Sequence, residues 1–260
     1  MLDVRDLHVT FTTTGKEAVR GVSLSMAPGE RLGLVGESGS GKTVTAMAVS
    51  GLIERSIVKL SGEVDFDGRD LLSCSRNELR SVQGPGIGVV FQEPMTSLNP
   101  LMRVGAQIEE TLKIHTNKTP QERKRLALRA MEQVGLPDPE TTYRKYPHQL
   151  SGGQRQRAII ASAMIIHPKL LICDEPTTAL DVTVQKQILE LLKTMSEEHG
   201  VGILLISHDM TVVRHLCENV AVMYKGEIVE RGRTEDIFLH PQDAYTQRLI
   251  AAIPTRKHHE

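Results

Sequence analysis

The chain has 260 residues, and its 31 lysines and arginines against 32 aspartates and glutamates give a formal net charge of −1. Because there is no basic excess, a function that depends on electrostatic attraction to nucleic acid or to an anionic membrane is disfavoured. Three cysteines without a C-x-x-C spacing exclude a disulfide scaffold and a thiolate zinc site of the usual kind, and they indicate a reducing compartment.

The sequence predicts neither a signal peptide nor a membrane span. Asp3 and Asp6 stand where a secretory signal would be basic and then apolar. The longest nearly apolar run, Ala158–Ile166, is far shorter than the roughly 20 residues that a transmembrane helix needs. We therefore expect a soluble cytosolic protein.

The first part of the chain is predicted to form strands. They are expected at Leu2–Phe11, Val19–Met26 and Arg31–Val35. The last of these is a short aliphatic run, which is typical of a buried parallel strand. Further along, Asp67-Gly68 between apolar residues predicts a hairpin with a type I′ turn, and Ile87–Phe91 predicts another buried strand.

The middle of the chain, from Pro94 to Leu150, has a helical pattern. Its clearest signal is Thr119-Pro120-Gln121-Glu122, a capping box with proline at the first helical position. The helix that starts there should stop at Gly135, because glycine readily adopts the left-handed conformation that ends helices.

The following segment predicts an α/β arrangement. Lys169–Cys173 and Val201–Ile206 are apolar, and the residues between them have helical spacing up to Gly200. A strand, a helix and a strand in this order predict a right-handed crossover in a parallel sheet.

The C-terminal part is predicted to close the sheet with a hairpin. Val220–Tyr224 and Ile228–Arg231 flank Lys225-Gly226, which is a turn signal. The tail from residue 240 to 260 holds one weakly amphipathic stretch, Tyr245–Ile253.

One segment fits the phosphate-loop pattern G-x-x-x-x-G-K-[ST] between a strand and a helix: Gly36-Glu37-Ser38-Gly39-Ser40-Gly41-Lys42-Thr43. Glycines let the backbone curl so that successive N–H groups face phosphate oxygens, and the helix adds its positive end. Lys42 supplies charge and Thr43 a hydroxyl for Mg²⁺. A dinucleotide fingerprint fits less well, because it would need glycine at Val44. The loop therefore predicts nucleotide binding.

Two carboxylates follow the apolar strand at Leu170–Cys173. Asp174 is expected to hold the Mg²⁺ shell, and Glu175 to polarise a water in line with the γ-phosphate. A buried strand that reaches solvent with ordinary surface acids is the alternative. The phosphate loop in the same chain favours the catalytic interpretation.

A second glycine-rich segment, Leu150-Ser151-Gly152-Gly153-Gln154, opens a helix that runs to His167. Ser151 and Gln154 have capping-box spacing, so the segment could simply be a well-capped helix. Two glycines in the first turn nevertheless weaken a helix, which is reasonable if a ligand approaches the backbone closely. Such a helix end would bind an anion, for which the γ-phosphate bound by a second protomer is the candidate.

The chain resembles the ATP-binding cassette family over nearly its whole length. The motifs above occur in the order found in that family, and so do three further features: Gln92, Ala179-Leu180-Asp181 and His208. Within the family, Phe91–Pro100, Tyr146–Gln149 and Pro176–Val182 are similar to the peptide and nickel importer branch. The resemblance implies an α/β fold: a P-loop NTPase core with a mixed or parallel sheet, an N-terminal antiparallel β subdomain and an inserted helical subdomain. Residues 1–260 would be one nucleotide-binding domain, with the helical subdomain at 93–150 and a short tail at 240–260.

The resemblance also assigns roles to four further residues. Phe11 resembles the aromatic residue that stacks on adenine, and it attracts attention because the chain has only four Phe, four Tyr and no Trp; a core phenylalanine is the alternative. Gln92 would touch Mg²⁺ or the attacking water, Asp181 would lie at the dimer seam, and His208 would hold the γ-phosphate and orient Glu175. Taken alone, Gln92 and His208 would be surface residues, and Asp181 an N-cap.

The resemblance implies ATP and Mg²⁺ as cofactors and a set of protein partners. Two cassettes would close over two MgATP, the second being the same or a paralogous chain, with Ser151 to Gln154 reaching the partner's nucleotide. Two transmembrane permeases and, indirectly, an extracytoplasmic solute-binding protein would complete an importer, with this chain peripheral at the cytoplasmic face of the inner membrane and no nucleic acid bound. Longer peptide-importer ATPases of this branch resemble one another in a cysteine-rich C-terminal extension that holds an iron–sulfur cluster. No cysteine follows Cys217 here, so on this resemblance we expect no cluster. His258-His259-Glu260 is expected to be a polar tail and not a metal site.

Two other classes are weighed against this one. A soluble cassette ATPase acting on DNA or ribosomes generally needs a long coiled-coil insertion or two fused cassettes, and the single phosphate loop and neutral charge disfavour it. A GTPase is disfavoured because Asn117-Lys118-Thr119-Pro120 lacks the aspartate of the guanine-reading N-K-x-D pattern.

Overall fold

The computed structural model describes residues 1–92, 97–178 and 180–253. Within it the chain forms two compact units. The first contains Met1–Met26, Arg31–Leu72 and the chain from Leu205 onward, and the second contains Ala27–Glu30 and Ser73–Leu204. In the described ranges no helix is both long enough and apolar enough to cross a membrane.

The strands are β1 (Leu2–Phe11), β2 (Glu17–Met26), β3 (Arg31–Val35), β4 (Val58–Phe66), β5 (Arg69–Asp70), β6 (Ile87–Val90), β7 (Leu170–Asp174), β8 (Gly202–Ser207), β9 (Asn219–Tyr224) and β10 (Glu227–Arg233). The helices are α1 (Lys42–Val49), α2 (Arg76–Val82), α3 (Val104–His115), α4 (Pro120–Gln133), α5 (Pro139–Arg144), α6 (Gly152–Met164), α7 (Val182–His199), α8 (Met210–Leu216), α9 (Thr234–Leu239) and α10 (Ala244–Ala251), with a 3₁₀ turn at Pro147–Gln149.

The first unit contains an antiparallel sheet in the order β2-β1-β4-β5. One face of β1 is buried by Leu2, Val4, Leu7 and Val9, and the register shifts between Val4 and Leu7 restore the alternation after the left-handed Asp6. Asp67 and Gly68 both have positive φ, at 53° and 81°, as a type I′ turn requires, so the predicted hairpin is confirmed.

A second group of strands in this unit carries the phosphate loop. β3 pairs in parallel with β9, and β9 pairs antiparallel with β10 across Lys225 and Gly226. Leu34 and Val35 at the end of β3 are fully buried, as predicted for a parallel strand. The predicted closing hairpin is confirmed as well, and the weakly amphipathic stretch in the tail forms α10.

In the second unit β6 and β7 pair in parallel, and the unit also includes the first three residues of β8, 202–204. Every residue of β7 is buried. The chain passes from β7 through α7 to β8, and α7 is capped by Asp181 and ends at Gly200, whose φ is 65°. The predicted strand, helix and strand are therefore present, each with bounds shifted by a residue or two.

Helices α3 to α6 make up most of the rest of the second unit. The capping box at Thr119 is confirmed: its hydroxyl accepts from the Glu122 N–H, and the Glu122 carboxylate accepts from the Thr119 N–H at 2.8 Å. The predicted bounds of the inserted helical subdomain, 93–150, stay a prediction, and residues 93–96 lie outside the described residues. So do Ala179 and the predicted polar tail at His258-His259-Glu260.

Candidate functional site: a phosphate loop, a carboxylate pair and a capped glycine-rich helix

The phosphate loop lies where the sequence predicts it, between β3 and α1 in the first unit. Gly41 caps α1 with φ 110°, and a β-carbon there would lie 2.4 Å from the carbonyl oxygen of Ala18. Both facts require glycine at this position. Glu37, Ser38 and Gly39 are exposed, so the crest of the loop is open to a ligand.

Lys42, the first residue of α1, folds back over the loop. Its Nζ donates to the carbonyl oxygens of Gly36 at 2.7 Å and Glu37 at 2.8 Å, and the residue is 5% exposed. A buried ammonium held by backbone carbonyls places a fixed positive charge inside the loop. The neighbouring Thr43 is exposed. Charge, exposed backbone and the helix start together form an anion-binding arrangement.

The two predicted carboxylates end β7 in the second unit. Asp174, its last residue, is 6% exposed, and Glu175 follows with a left-handed backbone at φ 45°. For any residue other than glycine, this backbone conformation is unfavourable by about 1–3 kcal/mol. It persists only where the surrounding structure holds it, most often at functional sites.

Two donors fix the Glu175 carboxylate. Its Oε2 accepts a hydrogen bond from the Thr178 hydroxyl at 2.8 Å and another from Nε2 of Gln92 at 3.1 Å. The structure thus brings together Gln92 and Glu175, which the sequence singled out separately. Thr178 is a residue that the sequence analysis missed, although its position three residues after Glu175 in a tight turn was a possible signal.

The glycine-rich helix start at Ser151 is a capping box, as its spacing predicts. The Ser151 hydroxyl accepts from the Gln154 N–H at 3.3 Å, and Oε1 of Gln154 accepts from the Ser151 N–H at 3.0 Å. Ser151 and Gly152 are exposed. The capped, exposed end of a 13-residue helix therefore faces solvent.

The two glycines of this helix have different surroundings. A β-carbon at Gly153 would lie 2.7 Å from Cγ1 of Val184 in the first turn of α7, whereas one at Gly152 would only touch Leu180 at 3.5 Å. Close packing against α7 thus explains Gly153, a reason that the sequence analysis did not foresee. Asp181 caps α7, and its Oδ1 accepts from the Val184 N–H at 2.9 Å, so its predicted local role is confirmed.

Phe11 and His208 both lie in the first unit. Phe11 ends β1, is half-buried, and its backbone closes the turn to Lys16 through a 2.9 Å hydrogen bond. His208 follows β8, is exposed, and lines a cavity of about 470 Å³ with Met210 and Ile253. Their predicted contacts with adenine and γ-phosphate stay predictions. Phe91, in the second unit, is 44% exposed and is a further accessible ring in a chain with few aromatics.

Cys173, inside β7, is fully buried beside Asp174, and burial raises the pKa of its thiol far above the usual range. The thiol is therefore uncharged and unreactive, as is typical of a core cysteine.

The motifs described above lie within a segment that matches a known protein family. The family model described as ABC transporter matches residues 19–178, which includes the phosphate loop, Ser151 to Gln154 and both carboxylates. The chain belongs to the ABC transporter family. As an ABC ATPase it hydrolyses ATP, and its fold is the α/β fold of these cassettes.

Curated ABC relatives match almost the entire chain. It is 48% identical to the oligopeptide transport ATP-binding protein OppD of Bacillus subtilis, over 98% of this chain and 72% of that protein. It is 45% identical to the dipeptide transport ATP-binding protein DppD of the same organism, over 98% of this chain and 77% of that one. The peptidoglycan transport ATP-binding protein YejF of Agrobacterium fabrum is 50% identical over 98% of this chain, which spans 47% of that relative.

Solved ABC cassettes share the fold. One is a dimeric post-hydrolysis structure of the cassette MJ0796 bound to ADP and Pi, with a TM-score of 0.80 and 28% sequence identity. The match covers 90% of this chain and 99% of the MJ0796 chain. Another is cbiO1 of Clostridium perfringens, with a TM-score of 0.78 and 30% sequence identity. The match covers 92% of this chain and 90% of the cbiO1 chain.

Proposed function

We propose that this chain is the ATPase subunit of a membrane importer for peptides, with nickel or metal chelates as the alternative solutes, and that it works as a cassette dimer. The observation that carries the hydrolytic part is the Glu175 carboxylate, held by Thr178 and Gln92 at the end of β7. A carboxylate fixed in this way is suited to polarise a water for attack on the γ-phosphate. The names of OppD and DppD support peptides as the solute class.

In this proposal the loop Gly36 to Thr43 binds the phosphates of ATP. Backbone N–H groups and the start of α1 face the anion, and Lys42 adds the fixed charge described above. Phe11 stacks on adenine, and His208 contacts the γ-phosphate and orients Glu175. The negative charge of ATP is thus balanced locally, which explains how a chain of net charge −1 binds it.

The chemistry of the available donors fits Mg²⁺. Asp174 supplies a carboxylate and Thr43 a hydroxyl, while Gln92 uses its NH₂ group on Glu175, so its carbonyl oxygen is the amide atom suited to a metal. These are the hard oxygen ligands that Mg²⁺ prefers. When bound, the ion supplies charge that stabilises the transferring phosphoryl group.

The proposed partners follow from the exposed helix start at Ser151 to Gln154. In a cassette dimer this segment contacts the γ-phosphate held by the other chain, and Asp181 lies at the seam. The second cassette is an identical or paralogous chain. Two permeases bind the dimer and hold it at the cytoplasmic face of the membrane, and a solute-binding protein delivers the solute to them.

Gly152→Glu tests the composite site. The position is exposed with room for a β-carbon, and a carboxylate in the first turn favours the helix, but its charge repels a phosphate. We expect ATP binding to the isolated chain at wild-type affinity and at least about a hundredfold loss of turnover in the assembled complex. Wild-type turnover by Gly152→Glu would contradict the proposal.

The solute is tested in the complete complex, reconstituted with the proposed permeases and solute-binding protein. Peptides are expected to stimulate ATP hydrolysis above the solute-free rate. Stimulation by nickel or a metal chelate, with no response to peptides, would overturn the assignment to peptides.

A further inference from the structure

The C-terminal helix α10 reaches the phosphate loop through one hydroxyl. The backbone N–H of Glu37, the second residue of the loop, donates to the Tyr245 hydroxyl oxygen at 2.8 Å. Tyr245 is 4% exposed. The contact joins residues 208 positions apart in the sequence, and a part-buried hydrogen bond to the backbone holds the loop at that point.

The Tyr245 ring is itself held by β9. It packs against the ring of Tyr224, the last residue of β9, with centroids 4.2 Å apart and planes tilted by 30°. At this separation the two rings are in direct contact. The hydroxyl is therefore presented to the loop from a rigid position.

The start of α10 is anchored as firmly as the ring. Oδ1 of Asp243 accepts from the Tyr245 N–H at 2.8 Å, which caps the helix. The carboxylate of Glu230 on β10 accepts from the N–H groups of Gln242 at 2.8 Å and Asp243 at 3.1 Å. These bonds fix the helix, and with it Tyr245, to the β9–β10 hairpin.

The same hairpin holds the phosphate loop at a second point. The N–H of Gly226, in the turn between β9 and β10, donates to the carbonyl oxygen of Ser40 at 2.8 Å. The loop backbone is thus held near its start by Tyr245 and near its end by Gly226. Between the two points lie Ser38 and Gly39, which are exposed.

We propose that Tyr245 is a positioning residue for nucleotide binding: through the Glu37 N–H it keeps the phosphate loop in the shape that receives ATP. The inference rests on the proposed role of Gly36 to Thr43 in phosphate binding. A loop that is already shaped for the anion loses less conformational freedom on binding, so its affinity is higher. Tyr245 contributes to ATP affinity in this way without touching the nucleotide.

Helix α10 also borders the segment that carries His208. Leu249 of α10 and the two residues that follow the helix, Ala252 and Ile253, line the same cavity as His208 and Met210. This helix therefore bonds to the phosphate loop through Tyr245 and borders the same cavity as the histidine segment of the first unit. Removing the Tyr245 hydroxyl breaks the hydrogen bond to the phosphate loop and leaves the residues that line the cavity unchanged.

Tyr245→Phe removes this hydroxyl and keeps the ring. We expect the Kd for MgATP of the purified full chain to rise about threefold to tenfold, the range for one lost hydrogen bond. In the assembled complex KM for ATP should rise similarly, while kcat stays within about twofold. Amide hydrogen exchange at Glu37 in the phosphate loop should become faster, whereas exchange along helix α10 should stay unchanged. Tyr224→Phe, which keeps the ring contact and alters no hydroxyl on the loop, is the matched control and should behave as wild type.

Two results would overturn the inference. One is wild-type affinity and wild-type Glu37 exchange in Tyr245→Phe. The other is a loss of affinity accompanied by a lower Tm and by faster exchange throughout α10, because that pattern indicates damage to the helix. Lys42→Ala, measured beside it, separates this inference from the proposed function: ATP binding that survives Lys42→Ala contradicts the phosphate-loop assignment itself.

Discussion

The Thr178 hydroxyl donates to Oε2 of Glu175 at 2.8 Å, the same oxygen that accepts from Gln92 at 3.1 Å. This pair of donors gives the candidate base a single orientation in spite of its left-handed backbone. If Glu175 acts as the proposed base, the Thr178 hydroxyl supplies its orientation.

Thr178→Val removes the donor and retains the shape of the side chain. We expect kcat for ATP hydrolysis to fall about tenfold with KM for ATP nearly unchanged, because Thr178 orients the base without binding nucleotide. Steady-state ATPase assays of the assembled complex measure both constants. Thr178→Ser keeps the hydroxyl and should restore most of the rate, and equal losses in the two variants would argue against an orienting role.

Gly153→Ala tests the close packing of α6 on α7. The added methyl would lie 2.7 Å from Cγ1 of Val184, and valine is stiff at χ1, so the free energy of unfolding should fall by about 1–3 kcal/mol. Denaturant titration measures it. Gly152→Ala has room and should be neutral or slightly stabilising.

The same contact provides a suppressor of Gly153→Ala. Adding Val184→Ala removes the methyl groups that the new β-carbon would meet. The loss of unfolding free energy in the double variant should therefore be smaller than the sum of the losses in the two single variants. Simple additivity of the two losses would show that the contact does not limit residue 153.

His8 predicts a dependence of stability on pH. Its Nδ1 lies 2.8 Å from Glu17 and its Nε2 3.2 Å from Asp6, and Arg20 faces Glu17 from the same strand, β2. The hydrogen bond to Glu17, and then the one to Asp6, raise the pKa of His8. The charged imidazole is thus favoured in the folded protein, and its contribution to stability is present below the unfolded pKa of about 6.5 and is lost as pH rises through the folded value.

His8→Gln removes this titration. The Tm of wild type minus that of His8→Gln should be largest below the unfolded pKa of about 6.5 and should shrink as pH rises through the raised pKa of His8 in the folded protein. Thermal melts at several pH values measure the difference. A difference that stays constant or grows with pH would show that His8 does not act through its charge.

Features written in local sequence were predictable. The turns at Asp67-Gly68 and Lys225-Gly226, and the caps at Thr119, Ser151 and Asp181, each depend on a few adjacent residues whose backbone preferences are strong. The phosphate loop and the Asp174 strand end were found for the same reason.

Features that depend on distant residues were not predictable. The contact of Gln92 with Glu175 joins positions 83 apart, and that of Tyr245 with Glu37 joins positions 208 apart, so tertiary packing alone brings them together. Helix α9 is six residues long and has no side-chain cap at Arg233, which leaves little local signal for its start.

Glu175→Gln tests the account most directly. The substitution keeps the size of the side chain and removes its basicity, so ATP should still bind with wild-type affinity while turnover falls at least about a hundredfold. In proteoliposomes that contain the complete transporter, peptide uptake should fall in proportion to ATP hydrolysis. Near-normal turnover by Glu175→Gln, or uptake that continues after hydrolysis is lost, would contradict the assignment of this chain as the ATPase that powers import.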